Sequence, residues 1–199
     1  MISIVMPVKN AAPYLRECLE SIVNQSYTNW ELIAINDHSA DDSPEILEVF
    51  AQKDERISWH NNEGNGIISA LSLAYELSQG AFISRMDADD KMHASKLEKM
   101  HEAVLMNKGA VITSWVEYFA ESGVGEGYKK YEQWLNKLCT ENSHFDEIYK
   151  ECVIPSPNWL MSREVLNTLG GFSNLEYPED YDLAFKLYEK KVKVVGIQE

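Results

Sequence analysis

The chain has 199 residues, a formal net charge of −14, 45% hydrophobic residues and 25% charged ones. That length holds one substantial core, and that composition is ordinary for a globular protein. The negative charge excludes nucleic acid and anionic membrane surfaces as electrostatic partners, though not a phosphate-bearing substrate bridged by a metal. Three scattered cysteines, Cys18, Cys139 and Cys152, read as buried or free thiols of a reducing compartment. No apolar run reaches the roughly 20 residues of a transmembrane helix. The run after Met1 stops at Pro7, too short for a secretory signal. The expectation is a cytoplasmic protein, or one peripheral at the inner face of a membrane.

In chain order, Ile2 to Met6 is a strand by composition, closed by Pro7. Pro13 suits the first position of a helix whose apolar face is Leu15, Cys18, Leu19 and Ile22. Trp30 to Ile35 is a second strand, followed by the polar loop Asn36 to Asp42. Ser43 is placed to cap the next helix, with Pro44 at its first position. Ile57 to His60 is a short third strand, and Asn61 to Gly66 a turn-rich loop before a helix carrying Ile67, Leu71 and Ala74. Ala81 to Asp90 is an apolar strand ending in the carboxylates Asp87, Asp89 and Asp90. Ser95 and Glu98 form a capping-box pattern for the next helix. Val111 opens a fifth strand expected to run to Phe119.

Strand and helix alternate through this half, which implies a doubly wound, mostly parallel α/β sheet with helices on both faces. From Glu121 the pattern loosens. Tyr128 to Leu138 and Phe145 to Tyr149 read as helical, Trp159 to Met161 as a short strand, and Arg163 to Leu169 as a helix stopped by Gly170 and Gly171. Tyr177 to Asp182 precedes a last helix faced by Leu183, Ala184 and Leu187. The reading is a single domain over 1–199, with a regular half over 1–120 and a less regular layer over 121–199, which the resemblance described below makes the nucleotide-sugar half and the acceptor side. The chain stops two residues after the apolar run Val192 to Ile197, an abrupt end for which a longer parent protein or a trimmed chain is the expectation.

Ligands of open α/β sheets bind outside the carboxyl ends of the strands. Asp87 and Asp89 therefore fall at a binding crevice, on one side of an extended backbone. Paired carboxylates suit Mg²⁺ or Mn²⁺ completed by a substrate phosphate. The same residues also fit a solvated acidic turn. Asp37 fits an ordinary loop turn, Asn65 and Gly66 an ordinary turn and cap, and Glu179 with Asp180 the acidic start of a helix. Trp115, Trp134 and Trp159 fit either the wall of a binding site or the core. His38, His93 and His144 read as surface or capping residues.

Taken together, four segments resemble the family-2 inverting glycosyltransferases of GT-A fold. They are Val5 to Asn10, Asn36 to Ser43, Arg85 to Asp90, and Gly170-Gly171-Phe172 followed by Pro178 to Asp182. Asn36 and His38 stand where Asp and Gly are commoner. The resemblance implies that Pro7, Val8 and Asn10 flank a nucleotide base and that Asp37 accepts from a base N–H. It places Asn65 and Gly66 by the diphosphate, Asp87 at the ribose, and Asp89 on a Mn²⁺ or Mg²⁺ ion. Asp180 becomes the general base, with Glu179 and Asp182 as rivals, and Arg85 pairs with Asp90, forms another salt link or reaches a phosphate. The implied donor is a nucleotide-diphosphate sugar, a UDP-sugar, giving up a hexosyl or N-acetylhexosaminyl group. The implied acceptor is a saccharide or lipid-linked saccharide of surface polysaccharide assembly. Two alternatives stand beside this: a haloacid-dehalogenase-type phosphatase with Asp87 as nucleophile, and a nucleotide-binding module without catalysis.

Overall fold

The computed structural model describes residues 1–120, 123–173 and 178–198, so the motif residue Tyr177 lies outside the described residues. A seven-stranded sheet runs through the molecule: β1 (Ile2–Val8), β2 (Trp30–Asn36), β3 (Ile57–Asn61), β4 (Phe82–Arg85), β5 (Val111–Ser114), β6 (Trp159–Ser162) and β7 (Val194–Ile197). Its spatial order is β3-β2-β1-β4-β6-β5-β7. Strands β1 to β4 are mutually parallel. β6 enters antiparallel between β4 and β5, and β7 pairs parallel with β5. The helices are α1 (Ala12–Val23), α2 (Ser43–Ala51), α3 (Ile67–Leu77), α4 (Lys96–Met106), α5 (Glu126–Glu141), α6 (Arg163–Thr168) and α7 (Glu179–Glu189).

The two-residue period of the strands separates two cores. Ile2, Ile4, Met6 and Val8 of β1 pack with Leu32 and Ala34 of β2 against α1, α2 and α4. Val5, Ile33, Ile35 and Ile83 face the other way, onto α3, α6 and α7. Because both faces are covered, the parallel strands read as continuous apolar runs. Each fully buried Leu or Ile, such as Leu19 or Ile35 at 0% exposure, contributes ~1.5–3 kcal/mol by leaving water.

Where the structure departs from the sequence reading, long-range partners decide. β5 ends at Ser114 instead of running to Phe119. Beyond it the backbone is satisfied by α5: Asn136 Oδ1 accepts from Val116 N–H at 2.8 Å, and Glu132 from Tyr118 N–H at 2.7 Å. The Ser95–Glu98 capping box does not form. Glu98 accepts instead from the Ser26 hydroxyl, while Gln25 Oε1 takes the Leu97 N–H at 3.0 Å in the first turn of α4. Ser43 is already helical, and its hydroxyl accepts from Ala11 N–H ahead of α1.

The C-terminal half also supplies β6 and β7 to the sheet. Gly196 of β7 lets the end of α5 approach, since a Cβ there would lie 2.0 Å from the Cys139 carbonyl oxygen. Residues 145–149 form no α-helix; a single 3₁₀ turn spans His144–Glu147. Trp159 is core, at 1% exposure.

His144 is buried at 2% exposure, not a surface residue, and its Nδ1 has no hydrogen-bond partner among the described residues. Burial pulls its pKa down from 6.5 to about 4. The unfolded chain therefore binds a proton that the folded chain refuses. Stability is complete above about pH 6.5 and is lost as pH falls toward about 4, by on the order of 3 kcal/mol from this group. His144→Phe should flatten that part of the profile. Urea midpoints taken between about pH 7 and pH 4.5 should fall less in the variant, and equal falls would refute the assignment.

Candidate active site

The site is built at the carboxyl ends of β2, β1 and β4, which lie side by side. Asp37 follows β2 and is held by its neighbours. Its N–H donates to the Val8 carbonyl at 2.7 Å. Its Oδ1 accepts from Asn62 Nδ2 at 2.7 Å and from Gly66 N–H at 3.0 Å, and its Oδ2 from Lys9 Nζ at 3.1 Å. Burial pushes the Asp37 pKa up, but the Asn62, Lys9 and Gly66 hydrogen bonds outweigh it and hold the carboxyl below its usual range. Asn62 is the hub of this corner. Buried at 3% exposure, it also accepts from Gly64 N–H and the Ser69 hydroxyl.

The first and second loops fasten to each other. Asn10 N–H donates to the Ser39 hydroxyl, and Asn10 Oδ1 accepts from Ala40 N–H at 2.8 Å. Asp41 accepts from Ala12 N–H at 2.9 Å in the first turn of α1. Asn10 and His38 both sit in the left-handed region, at φ 51° and 57°. That conformation explains why glycine is the commoner residue at the His38 position; here the imidazole is held 2.8 Å from the Gly64 carbonyl oxygen. Pro7 is half-buried and Asn65 exposed. Val8 is fully buried in the core, so it presents no side-chain surface.

At the tip of β4 the carboxylates differ. Asp89 is exposed and Asp87 half-buried. Arg85, only 4% exposed, pairs not with Asp90 but with Asp87, Nε to Oδ1 at 2.8 Å, and with Glu179, a terminal nitrogen to Oε1 at 2.9 Å. Burial pushes Asp87 upward, with Arg85 opposing and Asp89 and Glu179 adding to the rise. Asp90 is pushed up to about 6, by burial first and then by the charges of Asp87 and Asp89. Lys96 is drawn down to about 8 by desolvation against the pull of Asp90 and Asp87, and its ammonium donates to the Pro157 carbonyl at 2.6 Å.

The start of α7 carries three acids, Glu179, Asp180 and Asp182. Glu179 is taken by Arg85. Asp182 is taken by Lys186 at 2.7 Å and by the Ser173 hydroxyl. Asp180 accepts from its neighbour's N–H, Tyr181, at 2.8 Å and pairs with no cation among the described residues. Its carboxylate lies against the Cys152 thiol, whose pKa is pushed up by burial and then by that charge.

A cavity of about 1580 Å³ opens beside the β4 tip. Asp87, Asp89 and Asp90 form one wall, and Trp115, Tyr118 and Phe119 another. Tyr131 also lines it, stacked on Trp134 at 5.6 Å, with its hydroxyl donating to the Cys152 carbonyl. Asp37 and Asp180 are outside this lining. Asp37 is joined to the tip through β1, and α7 through the Arg85 link. Among the described residues no three His, Cys, Asp or Glu side chains gather to cage an ion. The tip instead offers Asp89, with Asp87 two residues before it. That set fits a Mg²⁺ or Mn²⁺ ion held by one or two carboxylates and completed by substrate phosphates.

Sequence reasoning missed Lys9, Asn62, Tyr131 and Cys152. The first two lie inside loops it had singled out. The last two carry no local signal, because only the return of the chain through β6 brings residues 131 and 152 to α7.

A family model, "Glycosyl transferase family 2", matches residues 3–170. An uncharacterized glycosyltransferase of Haemophilus influenzae is 31% identical over 91% of this chain and 58% of its own length. One from Rickettsia bellii is 30% identical over 90% of this chain and 24% of its own. The chain thus spans between about a quarter and three-fifths of these two curated relatives. Glycosyltransferase GlyG of Streptococcus pneumoniae is 26% identical over the whole chain and 68% of its own length. Among solved structures, S. aureus TarS 1-349 in complex with UDP-GlcNAc superposes with a TM-score of 0.75 at 17% identity, covering 100% of this chain and 58% of that one. Mannosyltransferase PcManGT from Pyrobaculum calidifontis, in complex with GDP-Man and Mn²⁺, gives 0.77 at 18%, covering 100% and 55%. These two likenesses show the fold: a GT-A glycosyltransferase fold.

Gly66 sits at φ 85°, ψ 169°, a region open essentially to glycine, with nothing near the place a Cβ would take. Gly66→Ala should therefore cost stability through the backbone alone, ~1–3 kcal/mol. The check is a lowered urea midpoint at unchanged m-value; an unaltered midpoint would show that the turn tolerates a side chain.

Proposed function

Because the chain belongs to glycosyl transferase family 2, we propose that it moves a sugar from a nucleoside-diphosphate donor, a UDP-sugar, to an acceptor hydroxyl with inversion at the anomeric carbon. One observation carries the assignment of the base. Of the three acids that open α7, Asp180 alone among the described residues is left without a cation, while Glu179 and Asp182 are ion-paired. An unpaired carboxylate can take a proton; one committed to a guanidinium or ammonium does so at the expense of that pair. The nucleotide donor is supported by the ligands of the two structural neighbours, UDP-GlcNAc and GDP-Man.

In this reading Asp180 accepts the proton of the acceptor hydroxyl as its oxygen attacks the anomeric carbon. The bond from that carbon to the diphosphate oxygen breaks, and the nucleoside diphosphate leaves. Asp37 orients the base by accepting an N–H in place of Lys9, whose side chain is 59% exposed and can swing away. Asn65 and Gly66 bring backbone to the diphosphate at the start of α3, and Asp87 meets the ribose. Asp89 holds the divalent ion, Mn²⁺ or Mg²⁺. When bound, that ion neutralises charge on the diphosphate. A saccharide acceptor, free or lipid-linked, finds apolar ring faces on Trp115, Tyr118 and Phe119 across the cavity. The phosphatase alternative asks Asp87 to be a free nucleophile, which its bond to Arg85 opposes.

Thermal-shift titration of UDP, GDP, CDP and dTDP with and without Mn²⁺ tests donor recognition. A ligand at about 100 times its dissociation constant adds about 2.7 kcal/mol. Asp180→Asn should lower sugar transfer by about 10²- to 10⁴-fold and leave UDP affinity unchanged, whereas Asp89→Ala should remove the Mn²⁺-dependent part of UDP binding. An Asp180→Asn protein that still turns over at the wild-type rate would defeat the assignment.

A further inference from the structure

We propose that Arg85 is a positioning residue for Asp180: its buried guanidinium locks the donor-side tip of β4 to the first turn of the base-bearing helix. The proposal rests on the reading of Asp180 as the base. Arg85 ends β4 at 4% exposure, and its two ion pairs reach in different directions. Nε meets Asp87 two residues on, and a terminal nitrogen meets Glu179, 94 residues away. Glu179 is the first residue of α7 and Asp180 the second. Fixing the first side chain to the sheet fixes the backbone that aims the next one.

The chemistry of the link argues for this role over simple adhesion. Burying one cation between two carboxylates is no efficient way to gain stability, because desolvation consumes most of the attraction. What a guanidinium provides is direction. Its planar fork holds two carboxylates at fixed angles, which a single ammonium cannot do. The start of α7 also needs an external restraint. Three acids crowd one helical turn, and no side chain caps it: Pro178, at the cap position, supplies only its carbonyl, to Asp182 N–H at 3.1 Å. Through Arg85 the carboxylate at the donor end and the one beside the base belong to a single hydrogen-bonded unit. A displacement of about 1 Å at a reacting group costs about 100-fold in rate, so slack in this unit falls on turnover.

The test is Arg85→Lys, which keeps the charge and can satisfy one carboxylate at a time, with Glu179→Gln beside it. Hydrogen exchange at the amides of Tyr181 and Asp182 reads the link with no acceptor in hand. Both variants should raise it at least about tenfold while the amides of β1 and β4 stay protected. UDP affinity in the presence of Mn²⁺ should stay within about threefold in Glu179→Gln, which leaves the Arg85–Asp87 pair intact. With a transferable donor, kcat should fall about 10- to 100-fold at unchanged donor KM. The double variant should be no worse than the poorer single one, since both cut the same link. Three results would each overturn the proposal: unchanged exchange at the start of α7, a loss of UDP affinity in Glu179→Gln large enough to account for the rate, or a fall in melting temperature with kcat intact. Failure of the underlying assignment shows separately, as full turnover by Asp180→Asn, whatever the exchange data say.

Discussion

The antiparallel strand β6, set between β4 and β5, is the constraint on which the site depends. A continuing parallel sheet would pair β5 with β4 directly and leave the second half of the chain outside. Instead Leu160 of β6 stands opposite both Ser84 and Ile112, so the chain must leave the sheet after β5 and come back. From this excursion residues 115–120, Tyr131, Glu132 and Asn136 line the cavity opposite the β4 tip. Asn158 closes the excursion, its side chain bonded to Ser114 across the mouth of the sheet. The return then launches α6, and after it α7, on the face of the sheet already occupied by α3. Trp159 and Met161 pack there with Leu183 and Leu187, which places the acidic start of α7 near the end of β4.

Electrostatics sets the next condition. A chain with a net charge of −14 sets Asp87 in the field of Asp89 and Glu179, and Asp90 in the field of Asp87 and Asp89. Left alone, such a cluster would drive apart the elements that carry it. Two cations answer from below the surface. Arg85 ties Asp87 to Glu179, and Lys96 sits in the field of Asp90 and Asp87 while its ammonium anchors the Pro157 carbonyl just before β6. Both cations therefore join the first half of the chain to the second. The upward shifts of Asp87 and Asp90 record repulsion and burial that remain unrelieved. A divalent cation beside Asp89 would relieve them, since it favours the charged form of every carboxylate near it.

Much of the first half was legible because its information is local. Apolar runs of strand length, proline at helix starts, and polar loops after β2 and β4 place the elements and bring Asp37, Asp87 and Asp89 to one edge. The reading failed where a distant side chain replaced the expected local partner. Ser95 and Glu98 have the spacing of a capping box, yet Gln25, 72 residues from Leu97, takes the amide. Trp115 to Phe119 has the composition of a strand, yet Asn136 and Glu132 supply its hydrogen bonds. Arg85 had Asp90 within easy sequence reach and chose Glu179. Nothing in the four residues of β6 announces an antiparallel insertion, because strand direction is a property of the connection.

A helix start such as that of α7 suits the base proposed there. Its N-terminus is electropositive, so it stabilises carboxylates in their ionised, proton-accepting form. That same attraction gathers several acids there, and proximity alone would leave their roles interchangeable. Ion pairing differentiates them. Glu179 is given to the sheet through Arg85, and Asp182 to its own helix through Lys186, where each does structural service. Asp180, between them, faces Cys152, whose thiol is kept protonated by burial and donates to the Ile154 carbonyl, so it does not compete as an anion. Three residues with nearly the same chemistry in sequence thus acquire distinct duties from their neighbours, and the free one lies on the turn that the buried guanidinium holds still.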